Sequence, residues 1–223
     1  VVIRRNDFKT NLDDFASSTG GWMIDGEAYK GSTGSFNAFT FANVKSKADV
    51  YTYSADVKVN SGLFNMIFET HTNPYDGAYA LQLDGASKLV RLFDFKGDTN
   101  FVRNENGMPA GSSSADCHVD IVKDGNRLLV YIDEQQVVDY TINDTNRQYD
   151  TDVFGFGLWE GDAEVRNVYV RKGYPAKTIL SKVKDVTISD LAAAADALKL
   201  LPKTVRVADL NGDEIDPQTI TWD

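Results

Sequence analysis

The run Val50-Tyr51-Thr52-Tyr53-Ser54-Ala55-Asp56-Val57-Lys58-Val59 places Tyr51, Tyr53, Ala55, Val57 and Val59 on one parity. Thr52, Ser54, Asp56 and Lys58 fall on the other. A period of two is the signature of a strand with one face buried and one polar. Working outward, the same character recurs at Phe36–Phe41, Leu63–Thr70, Ala78–Asp84, Lys88–Phe95, Cys117–Lys123, Arg127–Asp133, Val137–Ile142, Val153–Trp159 and Ala163–Val170. Turn residues separate several of these runs, at Asn60-Ser61-Gly62, Asp84-Gly85 and Asp124-Gly125-Asn126. Short strands at this spacing, with no helical periodicity between them, predict an all-β antiparallel sandwich or jelly roll. Tyr51, Tyr53, Val57, Phe68, Val119, Ile121, Val130 and Phe156 are expected in its core.

Composition divides the 223 residues in two. Residues 1–173 hold 23 of the 25 aromatic residues and 16 of the 17 glycines. Residues 174–223 carry instead the alanine-rich run Leu191–Leu198. The boundary is placed at Gly173-Tyr174-Pro175, giving a first domain over 1–173 and a tail over 174–223. In the tail a short helix is expected near 190–200, capped by Ser189 and stopped by Pro202. Two strands, Thr204–Val207 and Gln218–Trp222, should flank Asn211-Gly212. The first residues, Val1 to Thr10, read as part of a longer or processed chain.

The net charge of −10 repels phosphate, so nucleic acid and anionic membranes are poor partners. No apolar run reaches the ~18 residues of a membrane span. The single Cys117 forms no intrachain disulfide and no multi-cysteine metal site. With only His71 and His118 present, two-histidine zinc catalysis would need both in one site, which counts against it, and His118 reads as a structural strand residue. Cys117 and His118 are adjacent and point to opposite faces, which excludes a dyad.

Gly21-Trp22, Tyr51–Val57, Met66-Ile67-Phe68, Gly77–Leu81, Leu89–Phe93, His118-Val119-Asp120, Gly125-Asn126-Arg127, Val130–Asp133 and Phe154–Trp159 occur in this order over about 165 residues. The series resembles family 66 carbohydrate-binding modules, the fructan-binding concanavalin-like sandwiches attached to levanases and related glycoside hydrolases. The resemblance implies a noncatalytic module of a secreted or cell-surface bacterial glycoside hydrolase, joined to a catalytic domain and binding a polysaccharide or oligosaccharide. Leu201-Pro202-Lys203-Thr204-Val205 and Thr219–Asp223 are similar to the first part of a bacterial Ig-like repeat, an incomplete spacer unit.

Sugar binding needs a planar apolar face for the ring and a few fixed polar groups for its hydroxyls. Leu158-Trp159-Glu160-Gly161-Asp162 offers a Trp and two acids at a strand end. The stretch from Phe68 to Tyr79 is expected to be a long polar loop. Trp159, Glu160, Glu69, Asp76 and Tyr79 are the candidate ligand-binding residues, with Trp159 and Glu69 expected on one rim against one monosaccharide. The related modules place Arg where this chain has Glu69, Glu where it has Ser54, and Trp-Asp where it has Trp159-Glu160. That difference inverts donors and acceptors and leaves the sugar open.

No catalytic residue and no cofactor are expected. A structural calcium is compatible with Asp13, Asp14, Asp25 and the rim acids, though no spacing among them marks a site. Asp209–Glu214 mimics a calcium loop but puts Glu214 where Gly is needed and Ile220 where an acid is needed, so it reads as a hairpin turn. Two rival readings stay open: a concanavalin-like hydrolase with its own activity, and a spacer without ligand.

Overall fold

The computed structural model describes residues 2–6, 15–17, 21–43, 48–70, 73–96, 99–142, 153–175, 178–179, 203–208 and 214–219. The chain forms two compact units, Val1–Tyr174 and Pro175–Asp223.

In the first unit the strands are β1 (Val2–Asn6), β2 (Ala16–Ser17), β3 (Trp22–Asp25), β4 (Ala28–Asn43), β5 (Val50–Thr70), β6 (Ala78–Asp84), β7 (Leu89–Lys96), β8 (Thr99–Gly107), β9 (Cys117–Asp124), β10 (Arg127–Ile132), β11 (Gln135–Thr141) and β12 (Val153–Lys172). All pairings are antiparallel. Among the described residues the helical content is one 3-10 turn, Pro74–Asp76. The strands at β1, β3 and β8 carry no clean apolar alternation, and sequence patterning passes over them.

β5 has 21 residues. Straight, it would run about 70 Å, far longer than a unit of this size. It therefore turns a corner at Asn60–Gly62, and β12 turns with it at Trp159–Asp162, where their register shifts. The first half of β5 pairs with β9, and its second half pairs with β6. The ladder thus folds over into two layers. One layer runs β11-β10-β9-β5-β12, and the other runs β8-β7-β6-β5-β12-β4-β2. Strands that switch sheets through a bend are the usual way of making such a corner.

Two glycines permit this corner. Gly62 has φ +75°, and a Cβ on Gly161 would lie 2.0 Å from the Ser61 carbonyl oxygen. Only glycine fits so close a backbone approach.

The two layers share one core. Tyr53 from the first layer donates its hydroxyl proton to the Gly155 carbonyl of the second at 3.0 Å. Its ring meets Phe154 edge-on at 5.1 Å. All eight residues expected in the core are buried there: Tyr51, Tyr53, Val57, Phe68, Val119, Ile121, Val130 and Phe156. Edge-to-face aromatic pairs of this kind add to the burial of their area.

The second unit contains a three-stranded antiparallel sheet of β13 (Thr178–Ile179), β14 (Thr204–Ala208) and β15 (Glu214–Thr219). β14 and β15 form a hairpin whose connection contains Asn211-Gly212. β15 starts at Glu214, earlier than the Gln218 expected from sequence. The helix expected near 190–200 lies outside the described residues, as do Asp209–Asp213.

Candidate functional site

Strand parity defines the outer face of the second layer. Phe154, Phe156 and Leu158 of β12 point into the core, so Gly155, Gly157 and Trp159 face outward. By the same rule Asn37, Phe39 and Phe41 face outward from β4, Asn65 and Ile67 from β5, Ala80, Gln82 and Asp84 from β6, and Arg91, Phe93 and Phe95 from β7. Phe39, Phe41, Ile67, Ala78, Ala80, Phe93 and Phe95 form a second buried apolar cluster on this face, separate from the main core. Gly155 and Gly157 leave room for the Phe41 and Phe39 rings to lie across β12. A Cβ on Gly157 would sit 2.8 Å from Phe39 Cε1.

The 3-10 turn Pro74–Asp76 lies over this cluster. Asn73 caps it by accepting from the Tyr75 amide, and a proline at its first position suits the missing N–H. Tyr75 meets Phe39 edge-on at 5.9 Å and Phe95 edge-on at 5.7 Å. Its hydroxyl oxygen accepts a hydrogen bond from Asn37 Nδ2 at 2.6 Å. Asn37 pairs with Trp159 across the β4–β12 ladder, and Trp159 pairs with Leu63 on its other side. Trp159 is 46% exposed on a face whose phenylalanines are at most 4% exposed. An exposed indole beside a fixed amide and phenol has the make-up of a sugar platform.

The structure brings together only some of the residues chosen from sequence. Glu160 follows Trp159 in the corner bulge, exposed and with φ +49°. Asp76 is exposed on the Tyr75 turn, where its carboxylate accepts from Asn73 Nδ2 at 3.1 Å. Glu69 is not on this rim. It pairs near Val153, six residues along β5 from Leu63, which places it about 20 Å from the Trp159 row. Its φ of +51° and the register shift beside it turn the side chain inward. There it is 1% exposed and accepts from the Tyr51 hydroxyl at 2.5 Å, with Lys123 Nζ 3.9 Å away. One monosaccharide cannot touch both Trp159 and Glu69.

Tyr79 is likewise a core residue, 3% exposed and stacked on Phe68 at 5.9 Å. The expected polar loop from Phe68 to Tyr79 is strand as far as Thr70 and the capped turn from Pro74; His71 and Thr72 lie outside the described residues.

Other polar residues of the face were not chosen from sequence. Gln82 Nε2 donates to Asn65 Oδ1 at 3.2 Å, and Arg91 Nη1 donates to Gln82 Oε1 at 3.2 Å. Arg91 Nε binds the Glu105 carboxylate, and Nη1 lies 3.5 Å from Asp84. Burial pushes the Asp84 carboxyl up, but bonds from Ser87 and Ala86 and the Arg91 charge outweigh it and hold the group below the usual range. The available signal was parity: Asn65, Gln82 and Arg91 interrupt apolar strands on the outward register.

His118 sits on the outer face of the other layer with Nδ1 2.6 Å from Asp56 and Nε2 3.4 Å from Asp120. Burial disfavours its charged form, but the Asp120 and Asp56 carboxylates prevail and raise its pKa to about 10. It is thus a charged clamp between strands β5 and β9. Burial, with Asp133, Asp116 and Asp56 nearby, pushes the Cys117 thiol up to about 12, so it stays protonated and inert at neutral pH. Among the described residues no group of three or more His, Cys, Asp or Glu could hold a metal ion. No described helix is long and apolar enough to cross a membrane.

No family model matches the chain. A fructan beta-fructosidase of Streptococcus mutans is 31% identical over 170 residues, which is 76% of this chain. The match spans only 12% of that enzyme's length. The family 66 carbohydrate-binding module from Bacillus subtilis superposes with TM-score 0.59 at 20% identity, covering 73% of this chain and 98% of that one. A beta-glucanase of Bacillus licheniformis superposes with TM-score 0.57 at 14% identity, covering 76% of this chain and 97% of that one. The resemblance read from the ordered sequence signals is thereby borne out: the chain has the fold of a family 66 carbohydrate-binding module and the sequence likeness of a segment of a fructan-cleaving glycoside hydrolase.

Proposed function

We propose that the first unit is a noncatalytic module that anchors a secreted bacterial glycoside hydrolase to its polysaccharide, with β-fructan as the first candidate. The observation that carries this reading is the half-exposed Trp159 on an otherwise sealed aromatic face, beside Asn37 and the Tyr75 hydroxyl. A ring stacks on the indole, and its hydroxyls bond to Asn37, Tyr75, Glu160 and the groups of the Asp76 turn. One short site of this kind gives a free energy of about −4 to −8 kcal/mol, millimolar to micromolar binding. Its use lies in raising the local concentration of an attached catalytic domain.

Glycoside cleavage needs one carboxylic acid kept protonated near neutral pH. Asp84 is held ionised and does not suit that role. The sequence likeness to a segment of a fructan beta-fructosidase supports β-fructan as the first candidate.

The test is titration of the intact chain against levan, inulin, arabinan and β-glucan, together with a reducing-sugar assay. Binding to fructan without release of sugar is the expected outcome. Sugar release by the purified chain, or binding to none of the four, would overturn the reading.

A further inference from the structure

We propose that Arg171, on the outer face of the first layer, anchors a binding site for a singly charged carboxylate. The site lies on the opposite layer from the Trp159 platform and does not depend on the carbohydrate-binding reading.

Val168 and Val170 of β12 point into the core, so Arg171 faces outward, paired with Thr52 of β5 on one side and Val2 of β1 on the other. The end of β12 is tied down beside it. The Gly173 amide donates to the Val50 carbonyl at 2.9 Å, and the Thr52 hydroxyl donates to the Gly173 carbonyl at 2.7 Å. The guanidinium carbon stands over the Tyr169 ring, 4.7 Å from its centre, and Arg171 is only 7% exposed. A planar, weakly hydrated guanidinium is suited to such stacking.

This guanidinium has no anion. Among the described residues it makes no hydrogen bond and no ion pair, and its Nε is buried without a partner. Arg91, Arg103, Arg127 and Arg166 each bind a carboxylate. Asp94 and His118 also have a buried atom without a partner, but each is paired through another atom. The acids of this face are already engaged: Asp56 with His118 and Asn167, Asp120 with Ser54, Asp124 with Tyr174 and Asp139 with Arg127. Burying a cation without a counter-charge is costly, and a bound anion removes that cost.

The shape of the open edge names the anion. Nε is enclosed, and the two Nη nitrogens form the part of the group that reaches the surface. That edge offers two parallel N–H donors and one positive charge, the match of one carboxylate. The net charge of −10 disfavours a more highly charged anion such as phosphate.

The intact chain is titrated with sodium acetate, glucuronate, glucose and inorganic phosphate at constant ionic strength. Melting temperature and the NMR resonance of the Arg171 Nε–H are followed. Acetate and glucuronate should raise the melting temperature saturably, with dissociation constants of about millimolar, and move the Arg171 resonance; glucose should do neither. Glucuronate at least tenfold tighter than acetate identifies an acidic sugar as the source of the carboxylate, and equal affinity a small organic acid. Arg171→Met keeps the apolar stem without the charge, so it should melt above the parent in the absence of ligand and lose the response to both carboxylates. Arg171→Lys keeps the charge without the fork and should weaken binding at least fivefold. Fructan binding at Trp159 should be unchanged in both variants, so the two readings fail separately.

No response to either carboxylate, phosphate bound as tightly as glucuronate, or a response kept in Arg171→Met would overturn the proposal. Should Arg171→Met fail to fold, the parent decides: an Arg171 resonance unmoved by both carboxylates would overturn it equally.

Discussion

Trp159→Ala removes the exposed platform, and its cost is calculable. A Trp side chain offers at most about 250 Å² of surface, and 46% of Trp159 is exposed, so about 115 Å² is open to a ligand. A sugar ring covering most of that area at about 25 cal/mol per Å² contributes 2–3 kcal/mol, or about 30- to 150-fold in affinity. A site of about 1 μM would weaken to about 30–150 μM. Full deletion of a buried Trp costs about 3–5 kcal/mol, so the half-covered Trp159 should cost about 2 kcal/mol of stability, a fall of about 4–8 °C in melting temperature. Calorimetric titration with the best-binding fructan measures the first quantity, and scanning calorimetry the second. Trp159→Phe should recover part of the affinity. Binding within threefold of the parent in Trp159→Ala, with the fold intact, would show that the outer face of the second layer is not the site.

Glu69→Arg should not redirect specificity toward fructose; it buries a second cation beside Lys123 and removes the acceptor of Tyr51, costing about 3–5 kcal/mol. A melting temperature unchanged in that variant would contradict the buried position of Glu69. His118 has a folded pKa raised to about 10 against 6.5 unfolded, so its stabilisation is full below pH 6.5 and is lost as pH rises through about 10. At 1.36 kcal/mol per pKa unit the loss has a ceiling of about 5 kcal/mol, and His118→Asn should flatten the fall in melting temperature between those pH values. Gly161→Ala should destabilise the first unit by about 3 kcal/mol or more, because the added Cβ meets the Ser61 backbone at the corner; chemical denaturation measures it.

Strand identity and core were legible in the sequence because alternation is a local property. Tyr51, Tyr53 and Val57 share a parity whatever their partners are, and burial of one face follows from that alone. The ordered signals from Gly21-Trp22 to Trp159 were enough to name the fold, and Trp159, chosen as a stacking face for a sugar, is exposed as that role requires. What the chain order could not supply was which strand lies beside which. Asn65, Gln82 and Arg91 are ordinary polar residues on three separate strands until the β5–β6–β7 ladder aligns them. Glu69 has the composition of a rim acid, but its left-handed backbone and the bulge opposite Val153 direct it to Tyr51, between the layers. Tyr79, read as a loop residue, becomes core because β6 begins at Ala78 and its parity faces inward. Alternation fixes which side of its own strand a residue takes, because that depends only on neighbouring backbone units. The neighbours that face it across a ladder, and whether it ends in water or between two sheets, depend on the corner at Gly62 and Gly161, which joins segments far apart in the chain.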